Sequence, residues 1–259
     1  MAWFTDMGID LGTATVLVYL RGKGIVLNEP SVVAIEQQTR KLLAVGENAQ
    51  MMQGRTPGNI VAIRPLREGV IADFDLTEIM LRHFINEVCK SRRLFRPRVV
   101  VCIPAGTTSV EKKAVIEAVT RTGAKEAYLI EEPRAAALGA GLEIFAPSGN
   151  MIVDIGGGTT DIAVLSMGEI VVSCSVRVGG DKFDEAIARY IKREFNLLIG
   201  ERSAEAIKIQ IGSAFPANRS EKMEVRGRDL VNGLPRSLEV TTEHITEAIS
   251  EPLWIVVQG

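Results

Sequence analysis

The chain has 259 residues, enough to bury a substantial core as one large domain or two modest ones, with 24% charged residues and a net charge of −2. No global basic field points to nucleic acid. Cys89, Cys102 and Cys174 lie far apart without ligand-like spacing, and His83 and His244 stand alone; with no long apolar span or signal peptide, the sequence speaks against a zinc centre, a histidine-based triad and a membrane-spanning segment, and reads as a reduced, cytosolic chain.

In chain order, Trp3 and Phe4 set two large rings ahead of the first strand. They can pack on the domain or sit at a headgroup boundary. Ile9-Asp10-Leu11-Gly12-Thr13-Ala14-Thr15 ends an apolar run on an acid and follows it with glycine and threonine. Val16 to Leu20, the turn Arg21-Gly22-Lys23-Gly24 and Ile25 to Leu27 then read as strand, turn, strand. From Glu29 to Arg67 the chain is turn-rich, with strands predicted at 31–35 and 42–45 and a loop at 55–59, which suggests a small inserted lobe. Asp75, with Glu78 three residues on, predicts a helix start, and Leu76, Met80, Phe84 and Val88 form an apolar face that packs on a sheet. The segment Lys90 to Arg98 sets five positive charges around Leu94-Phe95. It fits a solvated turn with the apolar pair tucked under the next strand, or a loop that dips the pair into a bilayer while its arginines meet anionic headgroups.

Val99 to Ile103 predicts a strand buried on both faces. Thr108-Ser-Val-Glu111 predicts a capping box for a helix that ends before Gly123. A short strand at 127–130 runs into Glu131-Glu132-Pro133, with Pro133 expected at the first position of the next helix. Acids at such a junction can simply complement the helix dipole. At the edge where α/β sheets place ligands, one of them can instead orient a water against a terminal phosphate.

Met151-Ile-Val-Asp154-Ile-Gly156-Gly157-Gly158-Thr159-Thr160-Asp161 repeats the first acid, glycine and threonine device. Glycines with no Cβ let backbone N–H groups approach an anion, so the stretch reads as a phosphate cradle. Apolar runs at 162–165 and 170–172 place it between strands, unlike the P-loop or the dinucleotide fingerprint. Two such units suggest two similar half-domains, with Asp10 and Asp154 close to a phosphate-bound Mg²⁺. Val178-Gly179-Gly180-Asp181 predicts a helix with Asp181 as its N-cap and Phe183, Ile187 and Ile191 on one face. Ser203 is expected to begin another helix, in which Glu205 and Lys208 have the spacing of a surface ion pair. Beyond Gly212 come a charged, proline-containing segment and an amphipathic helix start at 241–249.

Taken together, IDLGT at 9–13, DIGGGTTD at 154–161 and VGGDKFDEAI at 178–187 resemble the actin superfamily of ATPases. GIVLNEPSVVAI at 24–35, GRTPGNI at 54–60, AIRPLREGVIADF at 62–74, LIEEP at 129–133, the GER to IK stretch at 200–208, and EVRGRDL with GLPR at 224–236 resemble its bacterial cell-shape family, MreB. The resemblance covers essentially the whole chain. It implies a duplicated, ribonuclease H-like α/β fold with ATP and Mg²⁺ between two lobes. The expected subdomains are 1–31 with 67–147 (IA), 32–66 (IB), 148–183 with 245–259 (IIA) and 184–244 (IIB). It also implies homopolymeric protofilaments, attachment to the inner face of the cytoplasmic membrane, and a link to the cell-wall elongation machinery. By position, Gly12, Thr13, Ala14 and Thr15 match the first phosphate loop and Gly156, Gly157, Gly158 and Thr159 the second, with Gly179 and Gly180 near the nucleotide. Asp10 and Asp154 match the acids near Mg²⁺, and Glu132 with Thr159 those that position the attacking water. Glu205, Ala206, Ile207 and Lys208 match the segment touching adenosine, and Leu94 and Phe95 the membrane-insertion loop.

Thr15 and Val16 stand where the family usually has Asn and Thr, a change that backbone-mediated phosphate binding tolerates. The family also continues with a further helix, a third glycine-rich stretch and a terminal helix, whereas this sequence diverges near Leu253; the expectation is therefore a truncated chain with weak ATP binding and poor assembly. Other readings are a DnaK-type chaperone ATPase, which needs a separate peptide-binding domain, a sugar kinase of the same superfamily, and a non-hydrolysing fragment.

Overall fold

Alternate apolar residues oblige a strand to bury one face, and the first sheet is built on that rule. In the computed structural model, which describes residues 6–54, 58–89, 96–215 and 219–259, β1 (Asp6–Leu11) buries Met7, Ile9 and Leu11, and β2 (Thr15–Leu20) buries Val16, Val18 and Leu20. Trp3, Phe4, Leu94 and Phe95 lie outside the described residues. The chain divides into two compact units, Met1–Arg177 and Val178–Gly259.

In the first unit, β3 (Gly24–Pro30) completes a hairpin series with β1 and β2. A small sheet follows, formed by β4 (Val33–Glu36), β5 (Leu42–Val45) and β6 (Ile60–Ile63) in the order β5-β4-β6, with α1 (Glu47–Met52). After β7 (Leu66–Arg67) and β8 (Val70–Ile71) come α2 (Phe74–Val88), β9 (Arg98–Ile103), α3 (Ser109–Arg121), β10 (Glu126–Glu131) and α4 (Glu132–Gly139). The main sheet runs β10-β9-β1-β2-β3, with β9 and β10 parallel to β1. This register aligns Asp10, Cys102 and Ile130 across three parallel strands. Leu76, Met80 and Phe84 of α2, with Val115, Ala118 and Val119 of α3, fill its core; burying one side chain such as Phe84 stabilises by roughly 2 kcal/mol.

Several expected boundaries move. Helix α2 is capped by Asp73, whose side chain accepts from the Leu76 N–H, rather than by Asp75; Glu78 instead pairs with Arg82 and Arg121. The Thr108–Glu111 capping box is formed, and Gly123 takes φ +98°. Pro133 lies one residue inside α4, after Glu132. The strand at 99–103 is not buried on both faces, because α2 and α3 take up its Val99, Val101 and Ile103 face while Val100 stays 39% exposed.

β11 (Asn150–Ile155), β12 (Thr160–Ser166) and β13 (Glu169–Val176) form an antiparallel sheet. Ala163 and Leu165 bury against Ala137 and Ile144. The Met167-Gly168 turn has positive φ at both residues, the twist that tight hairpins favour.

The second unit packs α5 (Gly180–Phe195), β14 (Leu197–Leu198), α6 (Glu201–Ile211), β15 (Lys222–Asp229), β16 (Pro235–Thr241), α7 (Thr242–Ala248) and α8 (Ser250–Gln258) around Ile187, Ile191, Ile207, Val225, Val240 and Ile245. Gly179, not Asp181, caps α5, since helical geometry begins one residue after it; α6 begins two residues before Ser203. The β15–β16 hairpin has no counterpart in the sequence reading. Among the described residues no helix is long and apolar enough to cross a membrane.

Candidate functional site

The two glycine turns of the first unit meet. In the first, Gly12 leaves no room for a side chain, because a Cβ there would stand 2.7 Å from the Thr15 carbonyl oxygen. Ser31 holds this turn from behind, its Oγ donating to the Gly12 carbonyl at 2.6 Å and its N–H to the Ala14 carbonyl at 2.9 Å. In the second, the Gly156 N–H closes onto the Thr159 carbonyl at 2.9 Å. A Cβ on Gly157 would lie 2.6 Å from the Ala14 Cβ, and one on Gly158 2.5 Å from Thr13 Oγ1. Thr13 and Ala14 thus face Gly158 and Gly157 at van der Waals distance, with Thr13 and Thr159 buried and Thr15 exposed.

Four carboxyl groups collect around this contact. Asp154 and Asp161 sit opposite each other in the β11–β12 ladder. Asp161 is 1% exposed, and its Oδ1 accepts from the Ala105 N–H at 3.1 Å, tying the second hairpin to the chain just beyond β9. Asp10 keeps contact with solvent, yet the protein crowded around it strips enough hydration, with Asp154 repelling it, to raise its carboxyl. Burial and then Asp161 raise Asp154. Glu132, the first residue of α4, is pushed up to about 8 by burial, then by Asp161, Asp10 and Asp154. The Cys102 thiol is driven to about 12 by burial and by Asp10, Glu132 and Asp154, so it serves as a packed, unreactive neighbour.

Asp10, Glu132 and Asp154 therefore feel chiefly one another's charge and that of Asp161, an arrangement that a cation relieves. No group of three or more His, Cys, Asp or Glu among the described residues is arranged to grip a metal directly. Two carboxylates beside paired glycine turns fit a hard cation that keeps several of its waters. Mg²⁺ is compatible with the residues present on that basis.

The sequence analysis quoted Asp161 without giving it a task, because only the strand register sets it opposite Asp154. Glu68 and Gly69 were quoted only within the 62–74 stretch, with no task assigned. These two, at φ +50° and +76°, form the tip between β7 and β8. The Gly69 N–H donates to Thr13 Oγ1 at 3.0 Å, and a Cβ there would stand 2.9 Å from both Pro104 Cγ and Thr159 Cγ2. Their signal was the Glu-Gly pair, a turn cue, between two short apolar stretches.

In the second unit, Gly179 and Gly180 open α5, and Glu205, Ala206, Ile207 and Lys208 lie on α6. Lys208 is drawn away from the Glu205 pairing that its spacing allows. Its Nζ donates to Asp184 Oδ2 at 2.9 Å and to the Gly180 carbonyl at 3.0 Å.

The model of the MreB/Mbl protein family matches residues 4–259. The sequence is 62% identical over 254 residues to the cell shape-determining protein Mbl of Bacillus cereus, covering 98% of this chain and 76% of that protein. It is 54% identical over 260 residues to the cell shape-determining protein MreB of Escherichia coli K12, covering 98% and 75%. Among solved structures, MreB5 of Spiroplasma citri bound to ADP is similar with a TM-score of 0.93 at 38% identity, over 98% of this chain and 77% of that one. The same protein bound to AMPPNP gives a TM-score of 0.92 at 38% identity, over 100% and 78%.

Proposed function

The chain belongs to the MreB/Mbl family and has the actin-like fold, and from that premise we propose that it is a cytoskeletal ATPase whose nucleotide state governs self-assembly into filaments. The observation that carries this reading is the contact of two glycine turns beside mutually repelling carboxylates. The turns of Gly12 to Thr15 and Gly156 to Thr159 take the phosphates of ATP on their backbone amides. In the second unit, taken by itself, Gly179, Gly180 and the Glu205–Lys208 segment are proposed to contact adenosine. Asp10 and Asp154 would hold Mg²⁺, and the ion would supply charge neutralisation at the phosphates. Glu132, helped by Thr159, orients a water toward the terminal phosphate, and it does so as a base only once its proton has left. That slow hydrolysis weakens filament contacts made in the ATP state. The ADP- and AMPPNP-bound forms of the Spiroplasma relative support nucleotide binding here.

Equilibrium binding of Mg·ATP to the chain, alongside Asp154→Ala, tests the reading. Saturable binding that the variant loses is expected; equal binding by both chains would overturn the assignment of Asp154.

The filament is proposed to lie on the inner face of the cytoplasmic membrane, through Leu94 and Phe95 with Trp3 and Phe4, and to organise cell-wall synthesis with the elongation machinery, as the names of the cell shape-determining relatives suggest. Pelleting with anionic liposomes should fall at least severalfold on Leu94→Ser with Phe95→Ser. Unchanged pelleting would remove that contact from the proposal.

A further inference from the structure

Lys208 is held in a way that a surface lysine is not. Its ammonium reaches from α6 to the N-terminal two turns of α5, where the Gly180 carbonyl accepts at 3.0 Å and Asp184 Oδ2 at 2.9 Å. The Asp184 side chain is 12% exposed and that of Lys208 23%. The second carboxylate oxygen, Asp184 Oδ1, is buried and has no hydrogen-bond partner among the described residues. A tie that served only to join two helices would gain by satisfying that oxygen, since an unmade bond on a buried charged group is costly. The aspartate bears this cost while holding one cation in place. An ammonium carries three N–H donors, and two are used here, which leaves one for a ligand.

We infer that Asp184 is a positioning residue for the nucleoside end of the nucleotide, fixing Lys208 between its own carboxylate and the Gly180 carbonyl so that the remaining N–H of the ammonium meets an oxygen or nitrogen acceptor on the nucleoside. The inference rests on the nucleotide reading above and assigns the orienting task to a residue outside the Glu205–Lys208 segment. Asp184 acts through Lys208, not by touching the ligand. Three charged groups face its carboxyl: Lys208 and Glu205 on α6 and Asp181 on α5. Burial outweighs the lysine and raises the carboxyl to about 6, so the clamp loosens within a measurable pH range.

The test compares the full chain with Asp184→Asn and Asp184→Glu, using Mg·ATP and inorganic tripolyphosphate with Mg²⁺ as probes and thermal melting as a control. Asp184→Asn should weaken Mg·ATP about tenfold at pH 7.5, leave tripolyphosphate binding within about twofold, and shift the melt little. Asp184→Glu should recover part of the loss. The ratio of wild-type to Asn-variant ATP affinity should shrink toward one between pH 7 and pH 5, as Asp184 itself takes up a proton; ionisation of ATP is common to both chains and cancels. An unchanged ATP affinity in Asp184→Asn overturns the inference while leaving the nucleotide reading intact. Equal losses of ATP and tripolyphosphate overturn it in favour of a general structural tie. A wild-type chain that binds neither probe overturns the nucleotide reading and this inference with it.

Discussion

Glu132 shows how one residue can be unfavourable for the ligand-free fold and still belong to the site. Its carboxyl rises from an ordinary value near 4.5 to about 8, so between those values the folded chain holds a proton that the unfolded chain has released. The sign is that of a group whose stabilisation is complete below the unfolded value and is lost as pH rises through the folded one. Glu132→Gln removes that penalty. In the absence of ligand it should raise stability at pH 7.5 by on the order of 2 kcal/mol, a rise of several degrees in Tm, and change little at pH 4.5. A melt that does not move at pH 7.5 would count against the crowding of carboxylates. From spacing alone Glu132 was legible only as one of two acids at a strand-to-helix junction, and it was the family resemblance that singled it out. Its partner Asp161 was not legible, because nothing in sequence spacing shows that a strand register will set it opposite Asp154. Lys208 misled for the same reason: three-residue spacing points to Glu205, whereas the ammonium bonds to α5.

At the scale of elements, the hairpins were the most readable part. Apolar runs ending on Asp10 and Asp154, then glycine and threonine, marked both glycine turns as lying between strands, and β1–β2 and β11–β12 follow that pattern. The capping box of α3 was also plain, because its chemistry is local. The β15–β16 hairpin was not. Its first strand, Lys-Met-Glu-Val-Arg-Gly-Arg-Asp, is mostly charged and buries Val225 and Asp229, while Gly227 sits so close that a Cβ there would stand 2.5 Å from the Leu198 carbonyl oxygen. The contact between the two turns makes its own prediction. Gly157→Ala places a methyl 2.6 Å from the Ala14 Cβ, so the hairpins must part by a fraction of an ångström to about one. The expected cost is about 1–3 kcal/mol of stability, with Mg·ATP affinity lowered roughly tenfold. Adding Ala14→Gly should restore part of both, since the two methyls are the clash. A double variant no better than the single one would show that the turns do not bear on each other.

Across the whole molecule, the same three-strand series appears twice, as β1-β2-β3 and β11-β12-β13, and that duplication was visible as soon as the two glycine stretches were set side by side. The division of the chain into units was harder to read, because it depends on which apolar faces find each other and not on any linker composition. Charge was also misleading as a guide: a net value of −2 says nothing of how four carboxyl groups of the first unit gather around one contact. That gathering has a thermodynamic consequence. Glu132 retains a proton at neutrality, and any cation settling among Asp10, Glu132 and Asp154 lowers their proton affinity and expels what they hold. Loading the site and acidifying the surroundings are then two faces of one equilibrium, so the heat of binding varies with the ionisation enthalpy of the buffer that catches the released proton, and affinity climbs with pH until Glu132 is empty.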